Sequence, residues 1–257
     1  ATLRLWRLDS SPLWWDEGNN AYLAHQNLGD LLRMSILTHD TDPPAHRLAL
    51  KVWLAVWGDG AVQLRSLSAL CSVLTVWLVY HWARKWQGIN TGLLAAFLLA
   101  VSPFAVYYGR EAKGYAFVGL FSTASTYVWA QYVDQEDRSS LTAWLAYVLC
   151  GALALGAHYY AILVPVAQMI WLLADSARRR DPQLSRWRFR RWVSGQAAIG
   201  VLLLPWVWLT ARAALNGAHG VPIDHGAMNL LRYLRRMLLG LAAGPFAQEW
   251  LAVLILT

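Results

Sequence analysis

Charge is the scarcest commodity in this 257-residue chain. Asp, Glu, Lys and Arg make up 14% of it, where a soluble domain carries about 25%, so there is too little polar surface to coat a globule in water. Cysteine is almost absent. Cys71 and Cys150 both sit inside apolar blocks, which excludes a disulfide framework or zinc-knuckle spacing and leaves two packing residues. No Gly/Ser-rich linker or internal repeat divides the chain, and no signal peptide opens it. Residues Ala1 to Leu8 read as the tail of a span and Phe246 to Thr257 as the start of another, so the chain reads as a fragment, a single transmembrane domain over residues 1–257.

What is present is apolar sequence in long blocks, 57% hydrophobic overall, which points to lipid as the solvent. Sixteen Trp and eleven Tyr suit many membrane–water boundaries. The net charge of +7 does not indicate nucleic acid, because seven of the 22 basic residues fall in one short stretch, Arg178 to Arg191, between apolar blocks. Such a stretch reads as a cytoplasmic, lipid-facing loop.

Five blocks approach the ~20 residues a helix needs to cross a bilayer. They are residues 62–82, 91–109, 115–133, 141–174 and 192–211. From Ser139 to Ala174 there is no charged residue, and that length of helix, about 54 Å, approaches two bilayer cores. The block is therefore expected to split at Gly156-Ala157-His158-Tyr159-Tyr160, giving six transmembrane helices over residues 62–211. The density of basic residues in short loops puts Arg84-Lys85, the loop around Arg138 and Arg178–Arg191 on the cytoplasmic side. Residues 9–61, the 110–114 turn, the His158 turn and residues 212–245 then lie extracytoplasmically. Apolar residues recur at helical spacing after Pro44, from Ala45 to Val56, with Arg47 and Lys51 opposite. This predicts an interfacial amphipathic helix over Pro44–Trp57, and residues 19–37 read similarly.

Three polar clusters fall on the extracytoplasmic side. Asp16 and Glu17 follow Trp14-Trp15, where poor solvation would strengthen a carboxylate as a base; equally, acids at a helix N-terminus complement its dipole. Thr38-His39-Asp40-Thr41-Asp42-Pro43-Pro44-Ala45-His46 offers two Asp and two His as acid, base or metal ligands, or as a turn that caps the next helix. In Tyr107–Tyr115, Arg110 and Lys113 at i, i+3 could share a phosphate, with Glu111 a local counter-ion if both merely snorkel. His158 and Tyr159 lie between two spans, and Arg65 opens another. Carboxylates on one loop and cations on another suit an anionic lipid donor and a hydroxyl acceptor.

At these residues the chain resembles the membrane-embedded GT-C glycosyltransferases, in particular the bacterial branch related to protein O-mannosyltransferases and the lipid A aminoarabinose transferase. The resemblance is carried by Leu-Trp-Trp-Asp16-Glu17, by Asp-Pro43-Pro44 leading to Trp53, and by Trp57-Gly58-Asp59 with Leu64-Arg65. Tyr108-Gly109-Arg110-Glu111-Ala112-Lys113-Gly-Tyr115 and Ala157-His158-Tyr159-Tyr160-Ala161 complete it. It implies an all-α, polytopic transmembrane bundle. It also implies a polyprenyl-phosphate-linked sugar as donor, and inverting transfer to a hydroxyl on a protein, glycan or lipid at the extracytoplasmic face. Asp16 is then the base, with Glu17 and Asp42 as further catalytic candidates. Arg110, Lys113, Tyr115 and Arg65 stand near the donor phosphate, and His46, His158 and Tyr159 at an acceptor or accessory site. The sequence singles out no definite cofactor, and Asp16, Asp42 and His46 offer ligands to a divalent metal ion. In place of the family's frequent His-Pro-Pro and Tyr-rich run, this chain has Asp42-Pro43-Pro44-Ala45-His46-Arg47. The competing expectation is a transporter or flippase for a lipid-linked sugar, or an inactive membrane partner. A transporter would place ionisable groups near the bilayer midplane, where these spans carry almost none.

Overall fold

The computed structural model describes residues 1–37, 42–134, 140–179 and 181–215, and all regular structure among them is helical. The sequence motif Thr38–Thr41 and the segment beyond residue 215, expected to be extracytoplasmic, lie outside the described residues, as does the loop around Arg138.

Two short helices open the chain, α1 (Thr2–Leu5) and α2 (Trp15–His25), followed by α3 (Leu28–Leu37) and α4 (Ala45–Trp57). The helical reading of residues 19–37 is thus interrupted at Gln26–Asn27. Asn27 explains the interruption: its Oδ1 accepts from the Asp30 N–H at 2.9 Å and its NH2 donates to Asp30 Oδ2 at 2.7 Å, which caps α3. α4 starts directly after Pro44 and stops at Gly58, whose φ of 82° lies in the left-handed region.

The polar stripe of α4 faces inward and its apolar stripe outward. Arg47 is buried, donating to Asn20 Oδ1, Ser35 Oγ and the Asp42 carbonyl, each at 3.1 Å. Lys51 donates to the Ala24 and Gln26 carbonyls. Apolar Val52, Val56 and Trp57 are left exposed instead. The polar stripe binds these helices together, and the apolar stripe is free to meet lipid.

The bundle consists of α5 (Ala61–Gln87), α6 (Ile89–Val101), α7 (Pro103–Tyr108), α8 (Tyr115–Asp134), α9 (Leu141–Leu155), a 3-10 turn (Tyr159–Ile162), α10 (Leu163–Arg179) and α11 (Pro182–Leu215). Two departures from expectation stand out. The block 91–109 is two helices, because Pro103 has no N–H and Ser102 caps α7 by accepting from Ala105 N. The carbonyls of Leu99 and Ala100, left open at that break, accept from the buried Arg4 guanidinium at 3.0 and 2.8 Å. Second, the Arg178–Arg191 stretch is mostly helix, with α11 beginning at Pro182 rather than near residue 192. Arg188 is buried against Asp175, and Arg191 sits about 4 Å from the Tyr132 and Trp187 rings. The expected break at residues 156–160 is present.

Three helices among the described residues are long and apolar enough to cross a bilayer: Ala61–Gln87, Tyr159–Arg178 and Pro182–Ala213. Ile89–Val101 and Leu141–Leu155 are apolar but shorter. One apolar core joins α4, α5 and α8 through Leu50, Leu54, Leu64, Leu67 and Phe117, and a second joins α8 to α11 around Trp129, Tyr147 and Ile199. In the second, the Tyr147 hydroxyl donates to Gln168 Oε1 at 2.7 Å and accepts from Gln196 Nε2, a polar tie inside an apolar bundle.

Candidate functional site

The polar groups gather where α2, α4 and the start of α5 meet the turn between α7 and α8. Glu17 is the hub. It is buried on the inner face of α2, where Arg65 grips it with Nε at 2.8 Å and Nη2 at 2.6 Å, and the Ala112 N–H donates to it at 2.9 Å. Burial alone would push its carboxyl up, but the Arg65 hydrogen bonds, the Ala112 N–H and the guanidinium charge hold it below the usual range. Arg65 also donates to the Leu8, Ser11 and Pro12 carbonyls, so every N–H of its fork has an acceptor. Trp14 and Trp15 are themselves exposed and do not supply this desolvation.

The 109–114 turn is fixed from three sides. Asn20 Nδ2 donates to the Ala112 carbonyl at 2.9 Å, Ser68 Oγ to the Lys113 carbonyl at 3.1 Å, and Glu17 accepts from Ala112 N. Lys113, buried by this clamp, reaches Asp16 Oδ2 at 3.0 Å. Asp16, on the solvent-facing side of α2, is 34% exposed at its side chain. Adjacent residues of one helix thus take two roles: Glu17 inward as anchor, Asp16 outward and accessible.

Arg110 and Lys113 do not share a helix face, because the turn is not helical. Arg110 donates to the Leu3 and Arg7 carbonyls at 3.3 and 3.2 Å, while Lys113 goes to Asp16. Tyr115 packs against Tyr108, with ring centroids 4.7 Å apart, and against His158 at 5.6 Å. His158 Nδ1 accepts from the Tyr160 N–H, which leaves its Nε2 facing Asp42 Oδ1 at 3.5 Å. The Tyr159 hydroxyl accepts from Trp206 Nε1 on α11 at 3.3 Å. His46 is buried edge-on to Phe117 with its Nε2 unpartnered, and burial beside Arg47 and Lys113 drives its pKa down to about 3. It is a neutral core imidazole.

The metal expectation finds no ligand set here. Asp16 is drawn to Lys113, Asp42 to His158 and His46 into the core, and no three His, Cys, Asp or Glu side chains converge among the described residues. Asn20, Ser68 and Arg47 escaped sequence reasoning. The available signal was Asn20 one helical turn after Glu17, hence on the same buried face.

Apolar helices in this arrangement, with an acid–base cluster at one end of the bundle, are a helical architecture of the membrane-protein type. The family model of dolichyl-phosphate-mannose-protein mannosyltransferase matches residues 41–208, and the chain belongs to that family. Undecaprenyl phosphate-alpha-4-amino-4-deoxy-L-arabinose arabinosyl transferase 1 of Pseudomonas fluorescens (strain Pf0-1) is 29% identical over 179 residues, which is 64% of this chain and 28% of that protein. ArnT from Cupriavidus metallidurans, solved in the apo state and bound to undecaprenyl phosphate, matches with a TM-score of 0.59 at 18% identity. The match covers 82% of this chain and 40% of that one, and at that identity it shows the fold. The chain therefore spans well under half the length of these relatives.

Proposed function

We propose that the site moves a sugar from a polyprenyl-phosphate donor to a hydroxyl-bearing acceptor, at the extracytoplasmic membrane face and with inversion. The observation that carries this reading is the Asp16–Lys113 pair: an accessible carboxylate beside a buried ammonium, both fixed by a rigid clamp. At rest the ammonium neutralises Asp16. A phosphate entering beside Lys113 competes for that ammonium and leaves Asp16 free to act. Asp16 takes the proton of the acceptor hydroxyl, whose oxygen bonds to the anomeric carbon. The bond from that carbon to the phosphate oxygen breaks, and its electron pair leaves on the lipid phosphate, whose growing charge Lys113 and Arg110 stabilise. Glu17 and Arg65 position Asp16 and the turn without touching substrate. Asp42 and His158 stand where an acceptor could be bound. The relatives support the donor class: one is an undecaprenyl phosphate-linked arabinosyl transferase, another was solved with undecaprenyl phosphate.

Sugar transfer by the full-length protein tests it. Asp16→Asn should lower turnover by about 10²–10⁴-fold, the usual worth of general-base catalysis, while leaving undecaprenyl phosphate bound. Unchanged turnover in Asp16→Asn would remove the base from this account.

A further inference from the structure

Glu111 is the one carboxyl of the 109–114 turn that this mechanism does not use, and its surroundings are unusual. It is buried, its Oε2 has no hydrogen-bond partner, and it is hydrogen-bonded to Tyr107. The neighbouring charges are already matched. Glu17 is balanced by Arg65 and Asp16 by Lys113, so the cluster without Glu111 sums to zero. Ionising Glu111 would add a third negative charge, one oxygen of which would be buried without a donor. Such an arrangement is costly in a poorly solvated place. A second consequence follows for any anion entering beside Lys113, which would meet one more negative charge than it does with Glu111 neutral.

Resting on the transfer reading above, we propose that Glu111 carries its proton in the resting site and that the donor phosphate is admitted only while it does, so that anion binding is linked to a proton on this residue. The groups that face it are Asp16 and Glu17 from α2, Arg65 from α5, Tyr107 and Tyr108 from α7, Tyr115 from α8 and Lys113 from its own turn. Burial is the largest influence holding the carboxyl above its ordinary range. Tyr107 and Lys113 oppose it, and the charges of Glu17 and Asp16 reinforce it. Glu111 acts through charge alone, as a positioning residue for the phosphate, and needs no contact with substrate.

The probe is undecaprenyl phosphate bound to the full-length protein, titrated from pH 7 to 9. Over that range the phosphate, with a second pKa of about 6, keeps a constant charge. Wild-type affinity should fall with rising pH, approaching tenfold per unit once Glu111 ionises. In Glu111→Gln, neutral at every pH, that fall should be absent. The same fall in Glu111→Gln overturns the inference but leaves the transfer reading intact, whereas no binding by either protein at any pH overturns both. A companion measurement needs no variant. Infrared difference spectra of the wild type, taken at a pH where its affinity has already fallen, should gain a protonated-carboxyl band on adding undecaprenyl phosphate, and a spectrum without that gain contradicts the linkage.

Discussion

Asp16 and Glu17 are consecutive residues on one helix, about 100° apart around its axis, and that rotation separates their fates. Glu17 is in effect covalent to the architecture, since removing its charge strands Arg65 in a buried place. Breaking such a pair typically costs about 3–5 kcal/mol, so Glu17→Ala should lower the unfolding free energy by that order in denaturant titrations. Asp16→Asn, at a partly exposed pair, should cost under about 1 kcal/mol. Comparable losses in both variants would place the two carboxylates in one role. His46 adds a pH signature. Its folded pKa, about 3, lies below the ~6.5 of an unfolded histidine, so the folded state binds fewer protons and stability falls as pH drops below about 6.5. Glu17 adds its own loss only lower, as pH falls through and below the ordinary carboxylate range toward its depressed folded value. Glu111 and His25, both held above their ordinary ranges, contribute with the opposite sign as pH falls, so the difference in slope between wild type and His46→Leu from pH 6.5 to 5 should report His46. The dipeptide Asp-Glu stood out in the sequence, and both residues join the polar cluster. Which member would be buried was not legible there, because the deciding partners, Arg65 and Ala112, lie 48 and 95 residues away.

At the scale of elements, periodicity identified α4 and its two unlike sides, but not which side would pack on the rest of the protein. Hydrophobic spacing reports that a helix has two unlike sides, and in a lipid setting either side can face inward. Here the acceptors on Asn20, Ser35 and the Asp42 carbonyl turned the Arg47 side inward. The 109–114 turn failed for a related reason: an i, i+3 argument assumes a helix, and this segment is held by side chains from α2 and α5 instead. The consequence separates two cations that the sequence alone treated alike. Lys113 is the one aimed at Asp16, so Lys113→Ala should weaken undecaprenyl phosphate binding by about 10–100-fold, the worth of one charge-assisted hydrogen bond. Arg110→Ala should weaken it less, because Arg110 is partly engaged by the Leu3 and Arg7 carbonyls. Arg110→Lys keeps the charge and loses the fork, and should resemble Arg110→Ala in the segment's stability rather than in affinity. Equal affinity losses in the Ala variants would return the pair to a shared phosphate grip.

At the scale of the whole molecule, α5 carries Arg65 at one end and Lys85 at the other, about 30 Å of helix apart, so the site and the basic ends of α10 and α11 lie at opposite ends of the bundle. The charge-free runs made the spans legible, because lipid forbids what they lack. The break at Ser102–Pro103 was hidden inside continuous apolar sequence, and the helical start of α11 was hidden by its arginines, two of which, Arg188 and Arg191, pack against Asp175, Tyr132 and Trp187. We propose from basic-residue density that the Arg178–Arg191 segment faces the cytoplasm. Cysteines introduced there should be shielded from impermeant reagents in intact cells, while one at the exposed Trp15 should be labelled; the reverse pattern would invert the site. The most direct test of the whole account is a structure of the full-length protein with undecaprenyl phosphate. The account predicts the phosphate within hydrogen-bonding distance of Lys113 Nζ, with the ammonium drawn away from Asp16. A phosphate seated instead among the arginines of α11, with the Asp16–Lys113 pair undisturbed, would contradict it.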